Sequence, residues 1–217
     1  MNNALARNFS FRSLLIFAFP TIIMMLFMSL YTMVDGVFVS RFVGTDALSA
    51  VNIVFPVTSI VVAVGVMLAT GGSAVIAKKM GEGKADEARE NFSLIVLSGI
   101  IIGLVIEGMG LIFIHPMLRL LGANDAVYGL CYDYAFALLF FVPAGVLQML
   151  FQTFFVTAGK PALGLIVTII GGVANIVLDY VFIVPMQMGI MGAAVATGIG
   201  YSIPAIYGLL YFAIHKK

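Results

Sequence analysis

Asn175 and Asp179 stand four residues apart in GGVANIVLDYVFIV, residues 171–184, a run otherwise without charge. At helical spacing the amide and the carboxylate share one face. A carboxylate in hydrocarbon costs roughly 2.5–3.5 kcal/mol on insertion scales, so something must offset it. Asp35, Glu107 and Asp133 also fall inside or at the edge of long apolar runs. Asp35 and Asp179 come to similar depth if their segments cross a bilayer in the same direction, and Thr197 reaches that level from the following segment. Two carboxylates, one amide and one hydroxyl then converge. Hard oxygens of this kind suit Na⁺ or a proton, and no histidine or thiol stands among them to favour a transition metal. Two neighbouring acids with no basic residue in any apolar run cannot easily both ionise alone, and a bound cation or proton is the simplest neutraliser. The competing reading is a protonated hydrogen-bond network that only holds helices together. Glu107, in the glycine-rich EGMG, and Asp133, at the water-accessible start of its run, are weaker candidates whose roles stay open.

Such residues need a scaffold, and the composition says which kind. The 217 residues are 62% hydrophobic and 10% charged, with mean hydropathy +1.15. A soluble domain carries about 25% charged residues, so the expectation is an all-α integral membrane protein. A spanning helix needs about 20 mostly apolar residues. Charges and turn residues cut the chain into six such helices, at about 13–39, 47–77, 92–114, 132–157, 162–184 and 190–214. Residues 1–217 read as one six-transmembrane-helix bundle with no soluble insertion. The stretch Leu14–Val34 holds no charge over 21 residues, longer than a signal-peptide core of about 7–15, and reads as a retained first span.

Lys and Arg favour cytoplasmic loops. Arg7, Arg12, Lys78, Lys79, Lys84, Arg89, Lys160, Lys216 and Lys217 fall on one side of the six spans, and Arg41 and Arg119 on the other. That asymmetry places both termini in the cytoplasm, and the chain is expected in the plasma (inner) membrane. The charged loop KKMGEGKADEARENF, 78–92, is expected to form a short amphipathic helix with a small bias toward anionic lipid. Pro20, Pro56, Pro143 and Pro204 interrupt spans and favour kinks. Small residues in ATGGSAVIA, GGVAN and GAAVATGIG let helices approach closely. The 13 Met and the many Phe and Tyr suit either an adaptable cavity or a lipid-facing surface.

Several functions lose support here. A net charge of +1 gives nucleic acid no electrostatic purchase. The single cysteine, Cys131, excludes a disulfide framework and reads as an apolar filler; His115 and His215 read as interfacial residues. No GxxxxGK[ST] occurs to support ATP-driven transport. No nucleophile–base set points to an enzyme, and no cofactor is expected beyond a coupling ion.

FPTIIMMLFMSLYTMVDGVFVSRFVGTDALSAVNIVFP, KKMGEGKADEARENF, LGAND, TAGKPALGLIVTIIGGVANIVLDYVFI and MGIMGAAVATGIGY, in that order, resemble the N-terminal half of a multidrug and toxic compound extrusion (MATE) transporter. The resemblance covers essentially the whole chain. It implies one lobe of a MATE-like fold and cation-coupled antiport of organic cations or other toxic compounds, with Na⁺ or H⁺ as coupling ion. It implies a cation or proton site at Asp35, Asn175, Asp179 and Thr197, the residues singled out above by burial cost. It also implies a bend of the first helix at Pro20 and, more loosely, Tyr134 and Gln152 as cavity residues; some members carry asparagine where Gln152 stands. Family members have twelve helices in two lobes with the drug path between them, and this chain has six. It is therefore expected to be a truncated chain, a fragment, or a half-length protein that pairs with another copy. Membrane lipid, organic cations and a second six-helix lobe or second copy are the expected partners. A flippase of lipid-linked sugars and a non-transporting membrane scaffold are the alternatives.

Overall fold

A computed structural model of the protein describes residues 11–214. Arg7, His215, Lys216 and Lys217, which entered the charge asymmetry or the interfacial reading, lie outside the described residues. The described residues form helices joined by short turns. Helix α1 is Phe11–Phe38, prolonged by a π-helical segment, Val39–Val43. Helix α2 is Thr45–Gly81 and α3 is Ala85–Ile112. A short α4, Ile114–Leu120, precedes α5, Tyr128–Leu139, and α6, Val142–Thr157. Helix α7 is Pro161–Ile183 and α8 is Gly189–Ile214. Five of these are long and apolar enough to cross a membrane, and α5 with α6, bent by 55°, make a sixth if the pair is one broken span.

Local chemistry sets most of the boundaries. Gly44 separates the first two spans at φ 128°, ψ 171°, a region that essentially only glycine occupies. Pro161 opens α7 in its first turn, where a missing N–H costs nothing. The Asn124 side-chain oxygen accepts from the amides of Ala126 and Val127, at 3.1 and 3.2 Å, and fixes the turn into α5.

The structure differs from the sequence-based expectation in three places. The fourth span, expected to run unbroken over 132–157, breaks at Phe140–Phe141. Pro143 cannot donate to the Leu139 carbonyl and its ring crowds that group. Phe141 N bonds the Leu138 carbonyl instead, at 3.0 Å, in a tighter turn. Pro20, Pro56 and Pro204 sit inside helices that continue through them. Second, the charged stretch 78–92 is not a separate helix. It divides between the end of α2 and the start of α3, leaving only residues 82–84 as a turn. Lys79 pairs with Glu87 across that turn at 2.5 Å, and Lys84 reaches Glu82 and Glu87. Third, the first span continues through Arg41. That cation is exposed and is not among the groups acting on Asp35.

Helix α6 is the axis of the bundle. It touches α2, α3, α7 and α8, and Phe151, Phe154 and Phe155 are its largest fully buried side chains. A Cβ on Gly208 of α8 would lie 2.2 Å from the Phe151 ring, so that glycine is what lets α8 close on α6. Helix α7 is held between α1 and α8. Opposite its buried face, Val173, Val177 and Tyr180 are exposed, as are Leu15, Phe19, Met25, Leu26 and Met33 of α1.

The ends of α3 are about 40 Å apart along its axis at 1.5 Å per residue over 28 residues. Lys84 precedes it and Asp125 follows it by way of α4. Cysteines placed at these two positions should react with impermeant reagent from opposite sides of the membrane, Lys84 from the cytoplasm. Labelling of both from one side would contradict the six-span arrangement.

Candidate ion-binding site

Close backbone approach assembles the site. A Cβ on Gly171 of α7 would lie 2.7 Å from the Gly200 carbonyl of α8, and one on Gly200 would lie 3.1 Å from the Asn175 Cβ. Helices α7 and α8 thus meet at their glycines, which brings Thr197 to Asn175. The Asn175 amide donates to the Thr197 hydroxyl at 3.4 Å, a long bond between two buried groups. On the other flank Gly172 admits the Phe27 and Tyr31 rings of α1; a Cβ there would be 2.5 Å from Phe27 and 3.1 Å from Tyr31. Asp35 follows Tyr31 by one turn and so arrives beside Asp179.

The two acids act on each other electrostatically, and neither Glu107 nor Asp133 contributes to their environment. Asp179 is 0% exposed and Asn175 1%. Asp35 is half-buried. Tyr134, also buried, lies within electrostatic reach of both acids, and Tyr201 lies near Tyr31, Tyr134 and Asp35. Gln152 does not line the small cavity beside Asn175. Its amide donates to the Thr168 hydroxyl at 3.2 Å and approaches the Met28 sulfur at 3.5 Å. It positions Thr168, which does line that cavity. Pro20 is 15 residues before Asp35, roughly 22 Å along α1, and is not part of the site.

The unsatisfied groups define the chemistry. Among the described residues, five buried side-chain polar atoms lack a hydrogen-bond partner: Asp35 Oδ1, Gln148 Oε1, Asn175 Oδ1, and both Asp179 oxygens. All are acceptor oxygens. Buried acceptors left unpaired each cost about 1–3 kcal/mol, so the group that belongs here carries positive charge or donates. An oxygen set of this size and hardness fits Na⁺. A proton between the carboxylates also fits, since it relieves their mutual repulsion.

Sequence reasoning reached Asp35, Asn175, Asp179 and Thr197 and, with Tyr134, these meet in one region. It did not reach Tyr31, Gln148, Thr168 or Tyr201. The signal was present as spacing: Tyr31 precedes Asp35 by four residues, Gln148 precedes Gln152 by four, and Tyr201 follows Thr197 by four.

The MatE family's sequence model matches residues 20–181, a range that holds Asp35, Asn175 and Asp179 and ends before Thr197. Multidrug export protein MepA of Staphylococcus saprophyticus is 22% identical over 202 residues, 93% of this chain and 45% of that protein. A FAD transporter of Shewanella oneidensis is 28% identical over 190 residues, 86% of this chain and 42% of that protein. A crystal structure of a MATE mutant, 24% identical, superposes with a TM-score of 0.91 over 100% of this chain and 49% of that one, which shows the fold. The chain spans under half the length of the curated relatives it matches.

Proposed function

The chain belongs to the MatE family, and we propose that it forms the N-terminal six-helix lobe of an ion-coupled antiporter that exports organic cations. The observation that carries this reading is the cluster of orphaned acceptor oxygens at Asp35, Asn175 and Asp179. A buried acid pair with no basic partner is costly to keep. It is worth that cost where the neutralising cation is the cargo that does work.

Na⁺ or H⁺ is the coupling ion, held by Asp35, Asn175, Asp179 and Thr197. Its binding neutralises the acid pair and draws α1 toward α7. A bend of α1 at Pro20 then changes the volume of the lobe's cavity and releases an organic cation. Ion and drug compete through one two-state element, as antiport requires. Tyr134, buried and within electrostatic reach of both acids, serves as a cavity residue beside them. A second six-helix lobe, or a second copy of the chain, supplies the other side of the drug path and covers part of the exposed apolar surface of α1 and α7. The lobe sits in the plasma (inner) membrane with both termini in the cytoplasm.

The test is efflux of a fluorescent organic cation from proteoliposomes, with the chain joined to its second lobe, under an imposed Na⁺ or proton gradient. Efflux should follow one of the gradients. In Asn175→Ala the half-saturating ion concentration should rise about tenfold, the scale of one lost neutral ligand. Efflux independent of both gradients would sink the antiport reading. An Asn175→Ala protein with unchanged ion dependence would remove Asn175 from the ligand set.

A further inference from the structure

Asp133 lies in a span but outside the ion site. It stands five residues into α5, roughly 8 Å along the axis from Tyr128. In the orientation given above this is the headgroup level of the outer leaflet. The carboxylate is half-buried and, among the described residues, has neither an ion pair nor a hydrogen bond. The neighbouring cation is already committed. Arg119 pairs with Asp125 at 2.7 Å, donates to the Ala123 carbonyl at 3.2 Å and lies 4.4 Å over the Tyr128 ring. His115 is bonded to the Tyr128 hydroxyl at 2.6 Å. An uncommitted carboxylate at this depth is repelled by lipid phosphates and attracted by any ammonium among them.

The surface around Asp133 changes from open to apolar along the helix. At about 100° per residue, Gly129, Asp133, Phe136 and Phe140 fall on one side of α5. A Cβ on Gly129 would meet nothing within 4 Å, so there is open space one turn above the carboxylate. Deeper in the membrane, Phe136 and Phe140 are 36% and 50% exposed, with ring centres 5.1 Å apart. Tyr132 stacks on His115 at 5.3 Å and on Phe136 at 5.7 Å, which holds the row in place. Over seven residues from Asp133 to Phe140, roughly 10 Å, a charge gives way to exposed hydrocarbon. Helix α5 packs chiefly on α2 and α8, whereas the proposed second lobe covers α1 and α7. This side of α5 is therefore left to the membrane. A small soluble cation would use the carboxylate alone and leave Phe140 bare. An amphiphile with an ammonium at one end and a hydrocarbon chain at the other uses both.

We propose that the Asp133 side of α5 binds an outer-leaflet phospholipid by its ammonium headgroup, of the phosphatidylethanolamine kind, with one acyl chain along Phe136 and Phe140. The ammonium enters the space that Gly129 leaves open and pairs with the Asp133 carboxylate. Hydrocarbon on the Phe136 side lowers the local dielectric and strengthens that pair over one in water. The chain reaches Phe140, so the lipid lies against the break in the fourth span. This site stands apart from the ion-coupled reading, and neither depends on the other.

Native mass spectrometry of the detergent-solubilised protein measures the binding of phosphatidylethanolamine, phosphatidylglycerol and N-acetyl phosphatidylethanolamine, all with the same acyl chains. The first should bind about tenfold more tightly than the other two, the scale of one hydrogen-bonded charge. Asp133→Asn should bind all three alike. Asp46→Asn, which removes an exposed acid at the outer start of α2, should keep the preference. Equal binding of the three lipids to the unaltered protein overturns the proposal. So does a preference that survives Asp133→Asn, or one lost as fully in Asp46→Asn. Binding of tetraphenylphosphonium that depends on Asp133, without any preference among the lipids, would overturn it in favour of a soluble organic cation.

Discussion

Replacing Asp35 or Asp179 with asparagine should weaken coupling-ion binding by about a hundredfold or more while leaving the helices inserted and at least as stable. Asparagine keeps the shape and one acceptor oxygen and removes the charge. Withdrawing one charged partner from a buried ionic interaction typically costs about 3–5 kcal/mol. The apo protein moves the other way, because a carboxylate in a bilayer interior costs roughly 2.5–3.5 kcal/mol that an amide does not. Both Asp179 oxygens are buried without partners, so the relief should be larger there than at half-buried Asp35. Thermal denaturation with and without ion reads both effects, since a ligand that binds only the folded state raises its stability by RT ln(1 + [L]/Kd). The expected pattern is a higher melting temperature without ion and no further rise on adding it. A variant that melts lower and still gains stability from the ion would make the carboxylates structural.

Gly171→Ala should produce a large structural defect beside the site. Its Cβ would sit 2.7 Å from the Gly200 carbonyl, a backbone atom that cannot swing aside, and 3.2 Å from the Pro204 ring. Helices α7 and α8 must separate, and overpacking of this kind costs about 1–3 kcal/mol. The same separation stretches the Asn175–Thr197 contact, already 3.4 Å, so ion affinity should fall with stability. Gly71→Ala in α2 is the control. Nothing lies within 4 Å of its Cβ position, so it should be neutral or slightly stabilising through helix propensity. Equal melting temperatures for Gly171→Ala and Gly71→Ala would contradict the close contact of α7 and α8.

The acids were legible because burial is expensive. Asp35 and Asp179 stand out in apolar sequence by cost alone, and Asn175 and Thr197 follow from helical spacing and depth. Tyr31, Gln148 and Tyr201 stand four residues from Asp35, Gln152 and Thr197, but that spacing alone singles out neither them nor Thr168, because neutral polar side chains are common contacts between membrane helices and carry little penalty to flag them. Their role emerges only once Gly172 and Gly200 bring three helices together. The fold was legible in outline for a similar reason: hydropathy sets spans and is blind to breaks. Pro143 marks the region of the bend, but the helix gives way at Phe140–Phe141, where the Phe141 ring occupies the space that a Gly198 side chain would need, 2.1 Å away. The charged stretch 78–92 misled because Lys, Glu and Ala favour helix wherever they stand, so it extends α2 and α3 instead of forming a helix of its own.

In the proposed antiport the acid pair couples ion to drug. It is tested most directly by organic-cation efflux from proteoliposomes containing the Asp35→Asn/Asp179→Asn double variant joined to its second lobe, with the unaltered lobe alongside under the same Na⁺ and proton gradients. Gradient-driven efflux is expected from the unaltered protein and none above leak from the double variant, with both proteins equally inserted. Undiminished ion-dependent efflux from the double variant would contradict it and leave Asp35 and Asp179 as contacts that hold α1 to α7.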